Sequence, residues 1–220
     1  MSWYLSLLFS APLLAMAAGP LSAATPTLPS ETQRNACAMV NEDANSPSPT
    51  LETRISRSGK GHARTAEALN DQTEVIDALY RFGAGQDLDD SKLFASAFAD
   101  HAELDFVQPA KRLGIDLPVF QGKEAIVSSI MATVSALDTT HTVTNPRVTL
   151  CGDRAHLVAL VEAQHLPKGD GSRHLLLKNW YDVDLIRAGL QWQITRLRIT
   201  NVWMDGEAGV LFAGAKSEAD

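Results

Sequence analysis

Six histidines, three tyrosines and two cysteines are the residues of this 220-residue chain best suited to move protons, hold metals or cycle redox state. Their spacing is selective. No CxxC, HExxH or H-x-D pattern marks a zinc or iron site, and no GxGxxG or GxxxxGK[ST] loop marks a nucleotide, so no cofactor is implied. His165 closes a strand row of Leu157, Ala159, Val161 and Ala163, and an imidazole at the end of a small apolar face suits the wall of a cavity. Asn179 and Tyr181 share one face of a later strand, where a tyrosine entering an apolar space looks for a hydroxyl partner, so both could orient a substrate. Asp87 sits in the polar string Gln86-Asp87-Leu88-Asp89-Asp90, and His141 follows Thr139 and Thr140 at a strand start. Either residue could do proton chemistry, or simply cap a helix or face water. His101, His156 and His174 read as surface or strand-edge residues, and His62 as part of a tail. Trp180, Trp192 and Trp203 read as packing, with Arg196 and Arg198 on the face of Trp192 and Ile194.

The elements that must position these groups begin near Thr65. Leu69, Val75, Ile76, Leu79 and Tyr80 recur at helical spacing up to a stop at Gly83-Ala84-Gly85. A short helix capped by Asp90 carries Leu93, Phe94 and Phe98, a first strand alternates through Ala102, Leu104 and Phe106, and Pro109 to Pro118 reads as a loop. A third helix opens after Gly122 and runs through Val134 to a break at Asp138-Thr139-Thr140. Four strands follow, at about His141 to Leu150, Arg154 to Leu166, His174 to Ile186 and Gln191 to Trp203. The class is α+β: long antiparallel strands twist and coil, and with three helices on one face they form a strongly curved sheet around a pocket.

The ends of the chain differ from this body. No acidic or basic side chain precedes Glu31, and WYLSLLFSAPLLAMAA followed by Leu21-Ser22-Ala23-Ala24 reads as a signal peptide cleaved after Ala24, which makes the protein secreted or periplasmic. Its apolar run is shorter than a membrane-spanning helix requires. Residues 25 to 65 form a proline-containing polar tail, 66 to 212 the folded domain, and 213 to 220 a C-terminal tail. Nineteen basic against 26 acidic residues give a net charge of -7, which repels nucleic acid and anionic membranes. Cys37 in the tail and Cys151 in the body could form one bridge or remain two thiols.

In the order EVIDALYRFGAGQD, KLFASAFADHAELDF, FQGKEAI, THTVTN, EAQH and WQITRLRIT, residues 66 to 205 resemble the NTF2-like superfamily, and within it the SnoaL-like group that includes scytalone dehydratase and hexachlorocyclohexane dehydrochlorinase. The resemblance implies a cone-shaped α+β barrel with three helices enclosing an apolar cavity. It places the family's base dyad on Asp87 and His141 and a second catalytic histidine on His165. Gln86 and Phe106 stand where the dehydratase has tyrosines, which speaks against scytalone as substrate. A carboxylate on one imidazole nitrogen fixes the tautomer and makes the other nitrogen a better base. The implied activity is a cofactor-independent lyase or isomerase acting on a small apolar organic molecule, with His165 donating a proton opposite His141. Tyr80, Phe106, Asn179 and Tyr181 are the candidate substrate contacts. Two other readings use the same residues: Asp87, His141 and His165 as a two-histidine, one-carboxylate metal set, or a pocket that binds a ligand without turnover. Association into a dimer or trimer through the sheet is expected as well.

Overall fold

The computed structural model describes residues 66–216, with side chains through Ala213. The expected signal peptide, the tail before residue 66 and Cys37 lie outside the described residues. Cys151, at the end of a strand, is disulfide-bonded, and Cys37 is the only other cysteine in the sequence. No described helix is long and apolar enough to cross a membrane.

Helix α1 spans Ala66–Asp87, and its inward stripe of Val75, Ala78, Leu79 and Phe82 follows the three- and four-residue period. It does not stop at Gly83. The glycines belong to the helix because its neighbours come too close for a side chain. A Cβ on Gly83 would lie 2.9 Å from the Cβ of His141, and one on Gly85 would lie 2.4 Å from the backbone nitrogen of Phe94. Tyr80 is half exposed and faces away from the cavity, so its expected substrate role is withdrawn: it lies about 100° around the helix from Leu79.

Helix α2 (Ser91–Ser96) is capped as expected by Asp90, whose carboxylate accepts from the backbone N–H groups of Lys92 and Leu93 at 3.0 Å. Phe98 opens strand β1 (Phe98–Asp105) instead of ending this helix. The expected loop from Pro109 contains a six-residue helix, α3 (Val107–Arg112); Pro109 is tolerated because a proline in the first turn has no helical hydrogen bond to lose. Strand β2 (Phe120–Gln121) leads through Gly122 to α4 (Lys123–Val134).

The long strands are β3 (Leu137–Cys151), β4 (Arg154–Pro167), β5 (Leu175–Ala188) and β6 (Gln191–Gly206), followed by a 3₁₀ segment, Ala208–Lys216. Asp138-Thr139-Thr140 is therefore strand and not a break, in keeping with the liking of threonine for a pleated surface. The six strands form one open sheet in the order β2-β1-β6-β5-β4-β3, antiparallel except for the parallel pair β1–β6.

The main core lies between the cavity face of this sheet and α1, α2 and α4, around Phe82, Phe94 and Phe98 with ring centroids 5.3 to 5.9 Å apart. A β-bulge at Thr195 breaks the alternation of β6, since Asp184 pairs with Arg196 while Leu185 pairs with Ile194. Arg196 is thereby turned away from the face of Trp192 and Ile194, contrary to expectation, and bonds Asp184 at 2.8 Å. Trp192 is fully buried as packing, whereas Trp203 is 43% exposed near Lys178.

Candidate active site

The last turn of α1 and the first residues of β3 meet where Gly83 lets them approach. Thr139 and His141 are alternate residues of β3, so both face α1 and reach the same carboxylate. Asp87 Oδ1 accepts from the Thr139 hydroxyl at 2.9 Å and lies 2.6 Å from His141 Nδ1, while Oδ2 accepts from the backbone N–H of His141 at 2.8 Å. Burial raises the pKa of Asp87, but the ring, charge and backbone N–H of His141 and the Thr139 hydroxyl outweigh it and hold the carboxyl below its ordinary value. An ionised carboxylate can only accept, so Nδ1 of His141 carries a proton, and in the neutral form of the ring the lone pair is on Nε2. The imidazole side chain is 4% exposed and lines a cavity of about 350 Å³. Its size is at the small end of ligand pockets.

His165 lies on β4, the strand paired with β3, opposite Thr139, and its ring centroid is 6.1 Å from that of His141 with the planes nearly perpendicular. Its Nδ1 lies 3.2 Å from the Leu175 carbonyl. A carbonyl only accepts, so this nitrogen too holds the proton. Burial, with the nearby charge of His141, pulls the His165 pKa down to about 4, and near neutral pH the ring is uncharged. Expected as a proton donor, His165 instead brings an acceptor to the cavity. A consequence follows for stability. In the unfolded chain this ring takes a proton near pH 6.5, whereas in the folded protein it does so only near pH 4, so acidification through that window favours unfolding by up to about 3 kcal/mol. Chemical denaturation of the wild type and of His165→Gln between pH 7 and 4 is expected to show the wild type losing stability relative to the variant as pH falls. Parallel pH profiles would contradict the assignment.

The rest of the cavity is mostly apolar. Phe106, Asn179 and Tyr181 line it, joined by Phe82 and Gln86 from α1 and by Ser129 and Thr133 from α4. Thr139 and Asn201 escaped the sequence reading. Thr139 lies in a stretch whose sequence reads as a break, although it shares the strand face of His141, two residues on; Asn201 likewise follows Ile199 by two residues on β6 and is buried behind Asn179.

His156, expected at the surface, is fully buried on the other face of the sheet, with Nδ1 2.9 Å from Asp184 and Nε2 3.6 Å from Asp182. Burial would raise the Asp184 pKa, but His156 and Arg196 hold it well below the ordinary carboxylate range. His156, Asp182 and Asp184 are the one group among the described residues whose potential ligand atoms all lie within 4.8 Å of one another. Arg196 already occupies the Asp184 carboxylate. Asp87, His141 and His165 are not such a group; Asp87 contacts Nδ1 of His141, and Nδ1 of His165 contacts a backbone carbonyl.

The chain is similar to known proteins in sequence and in fold. A family model described as a SnoaL-like domain matches residues 67–198. The terrestric acid biosynthesis cluster protein E of Penicillium crustosum is 30% identical over 151 residues, which cover 65% of this chain and 90% of that protein. Among solved structures, a Kribbella flavida protein superposes with a TM-score of 0.58 at 23% identity, covering 66% of this chain and 98% of its own. A hexachlorocyclohexane dehydrochlorinase of Novosphingobium barchaimii gives 0.52 at 19% identity, covering 64% and 93%.

Proposed function

Since the chain belongs to the SnoaL-like domain family, we propose that it is a cofactor-independent lyase or isomerase acting on a small organic molecule held in the cavity, with His141 as the base and Asp87 as the group that orients it. The observation that carries this reading is the 2.6 Å contact between His141 Nδ1 and Asp87 Oδ1 at the wall of an apolar cavity of about 350 Å³. The name of the Novosphingobium relative, a dehydrochlorinase, denotes an elimination, which supports the same reaction class by analogy of fold.

Nε2 of His141 takes a proton from a carbon next to a carbonyl, and the C–H electron pair moves toward the carbonyl oxygen. When that pair returns, a hydroxyl on the β-carbon leaves with its bonding electrons and recovers the proton from the imidazolium, departing as water. For isomerisation the proton returns to a different carbon instead. The histidine ends as it began in both cases, so the cycle closes without an external oxidant, reductant or cofactor. His165 accepts a hydrogen bond from a substrate hydroxyl. Phe82, Phe106 and Leu104 keep water from the reacting carbon.

The test is a panel of compact cyclic β-hydroxy ketones incubated in D₂O with the full chain and with His141→Ala, read by NMR for water loss and for deuterium next to the carbonyl. Turnover or exchange that depends on His141 is expected. Ketones that bind the wild type but exchange no faster than with His141→Ala would instead make this a pocket that binds without catalysis. Export with removal of residues 1 to 24 belongs to the same proposal, and the intact mass of protein collected outside the cytoplasm tests it; retention of those residues would contradict it.

A further inference from the structure

Four neighbouring residues on the outer face of the sheet are buried although no described helix lies over them. His156 and Val158 on β4 are fully buried, and Thr149 on β3 and Asp182 on β5 nearly so. Their registers put them side by side, since Thr149 pairs with His156 and Val158 with Asp182. The intervening Ala155, Leu157 and Ala159 turn to the core, so these four point away from it. Helices α1, α2 and α4 pack on that core. Arg112 of α3 reaches the Asn201 carbonyl, and the 3₁₀ segment packs through Val210 near Leu175 and Leu177, both further along the strands. A sheet face open to water keeps its side chains wet, and a carboxylate such as Asp182 is not withdrawn from water by strand neighbours alone.

Two attachments lead to this patch. Cys151, which ends β3 and is disulfide-bonded, lies on the same face two residues beyond Thr149. Cys37 is the only other cysteine in the chain. Asp71, in the second turn of α1, accepts from both terminal nitrogens of Arg187 at 2.7 and 2.6 Å, which fixes the start of that helix beside β5, three residues past Asp184. The chain between these points, residues 38 to 65, reaches about 90 Å when extended and has only the two strand spacings from β3 to β5 to cross, about 10 Å. Its last part carries complementary charge. Arg54, Arg57, Lys60 and Arg64 follow one another with no acidic residue between Glu52 and Glu67, and the patch holds the carboxylates of Asp182 and Asp184 beside Arg196.

We propose that residues 38–65 fold back across the outer face of the sheet as a strap, tied to β3 by a bridge between Cys37 and Cys151, with the basic run from Arg54 to Arg64 over Asp182 and Asp184. The occupant of this face is the chain's own N-terminal segment and not a second copy. The bridge forms as both thiols give up their protons and two electrons pass to an external disulfide, which leaves as two thiols, so the strap closes in an oxidising compartment. The strap is independent of the chemistry in the cavity, which opens on the other side of the sheet.

The test labels carboxyl groups of the oxidised full chain with a water-soluble carbodiimide and glycinamide, read by peptide mass spectrometry without reduction. The map is expected to show Cys37 joined to Cys151 within one chain. Asp182 is expected to label at least roughly 10-fold more slowly than the exposed Asp205. In a chain carrying Cys37→Ser, Arg54→Glu, Arg57→Glu and Lys60→Glu together, Asp182 is expected to label roughly 10-fold faster than in the wild type, with Asp205 unchanged and the near-ultraviolet circular dichroism of the buried Trp192 retained. A measurement without substitutions guards against misfolding of that variant: trypsin is expected to cut the wild type after Arg57 and Lys60 at least roughly 10-fold more slowly than it cuts a peptide of residues 50–66. Cys37 found unpaired or joined to another chain, or Asp182 labelled as fast as Asp205 in the wild type, would overturn the proposal. So would wild-type cleavage at the peptide's rate, or protection of Asp182 that persists in the fourfold variant with its near-ultraviolet spectrum intact. Sedimentation of such a protected variant as a dimer would give the face to a second copy.

Discussion

Asp87→Asn is expected to fold and to lower turnover by roughly 10²- to 10⁴-fold, the range over which a positioned general base contributes. The carboxylate of Asp87 receives the Thr139 hydroxyl and both the ring and the backbone N–H of His141. An asparagine can keep the backbone bond through its oxygen, but must then present NH₂ to Nδ1 of the imidazole. That nitrogen then has to accept, the proton moves to Nε2, and the cavity loses the lone pair that would take a substrate proton. His141→Ala should match this loss, and the double variant should lose little more, because the two side chains act as one unit. The measurement is turnover or deuterium exchange of the best ketone from the panel, with the urea midpoint recorded alongside. A double variant whose loss is the product of the single losses would mean that Asp87 and His141 act separately.

Gly85→Ala is expected to cost about 3 kcal/mol or more, a large part of the 5 to 15 kcal/mol that holds a typical domain together. The added Cβ would lie 2.4 Å from the nitrogen and 2.5 Å from the Cα of Phe94. These are backbone atoms, so the overlap is relieved only by moving helix α2 and, with it, the Phe94 ring that packs on Phe82 and Phe98 at 5.3 Å. In an open helix position the same change would stabilise by up to about 1 kcal/mol, since alanine outranks glycine as a helix former. The sign therefore separates packing from propensity. A urea midpoint for Gly85→Ala at or above the wild-type value would show that α1 and α2 do not approach so closely.

The errors of the sequence reading share a physical cause. Periodicity reports which face of an element is apolar, and it located α1, α4 and the four long strands because their buried faces repeat along the chain. It is silent on distance between elements. Gly83 and Gly85 look like a helix stop when read locally, and only the nearness of His141 and Phe94 explains why they lie inside the helix. Tyr80 fits a broad apolar stripe, yet the cavity is reached by Phe82 and Gln86, which come later in the helix and on its inner side. Arg196 was misplaced because a bulge at Thr195 adds one residue to the alternation, and no local signal marked it.

The candidate site was legible to a different degree in each residue. His165 could be placed on a cavity wall from its own strand row. The pairing of Asp87 with His141, which are 54 positions apart, was available only through resemblance to a family. Asn201 was invisible, since its importance depends on two backbone carbonyls and a neighbouring amide that only the folded sheet brings together. The direction of each proton was likewise hidden. It follows from which partner can only accept: the Asp87 carboxylate for His141 and the Leu175 carbonyl for His165.

The most direct test is ¹⁵N NMR of the histidine rings in the wild type and in Asp87→Asn, with His141 assigned by substitution. Near neutral pH, His141 is predicted to hold its proton on Nδ1 and an unprotonated Nε2, and the two nitrogens are predicted to exchange these roles in Asp87→Asn. A proton on Nε2 of His141 in the wild-type protein, or a ring whose resonances ignore the substitution, would contradict the account.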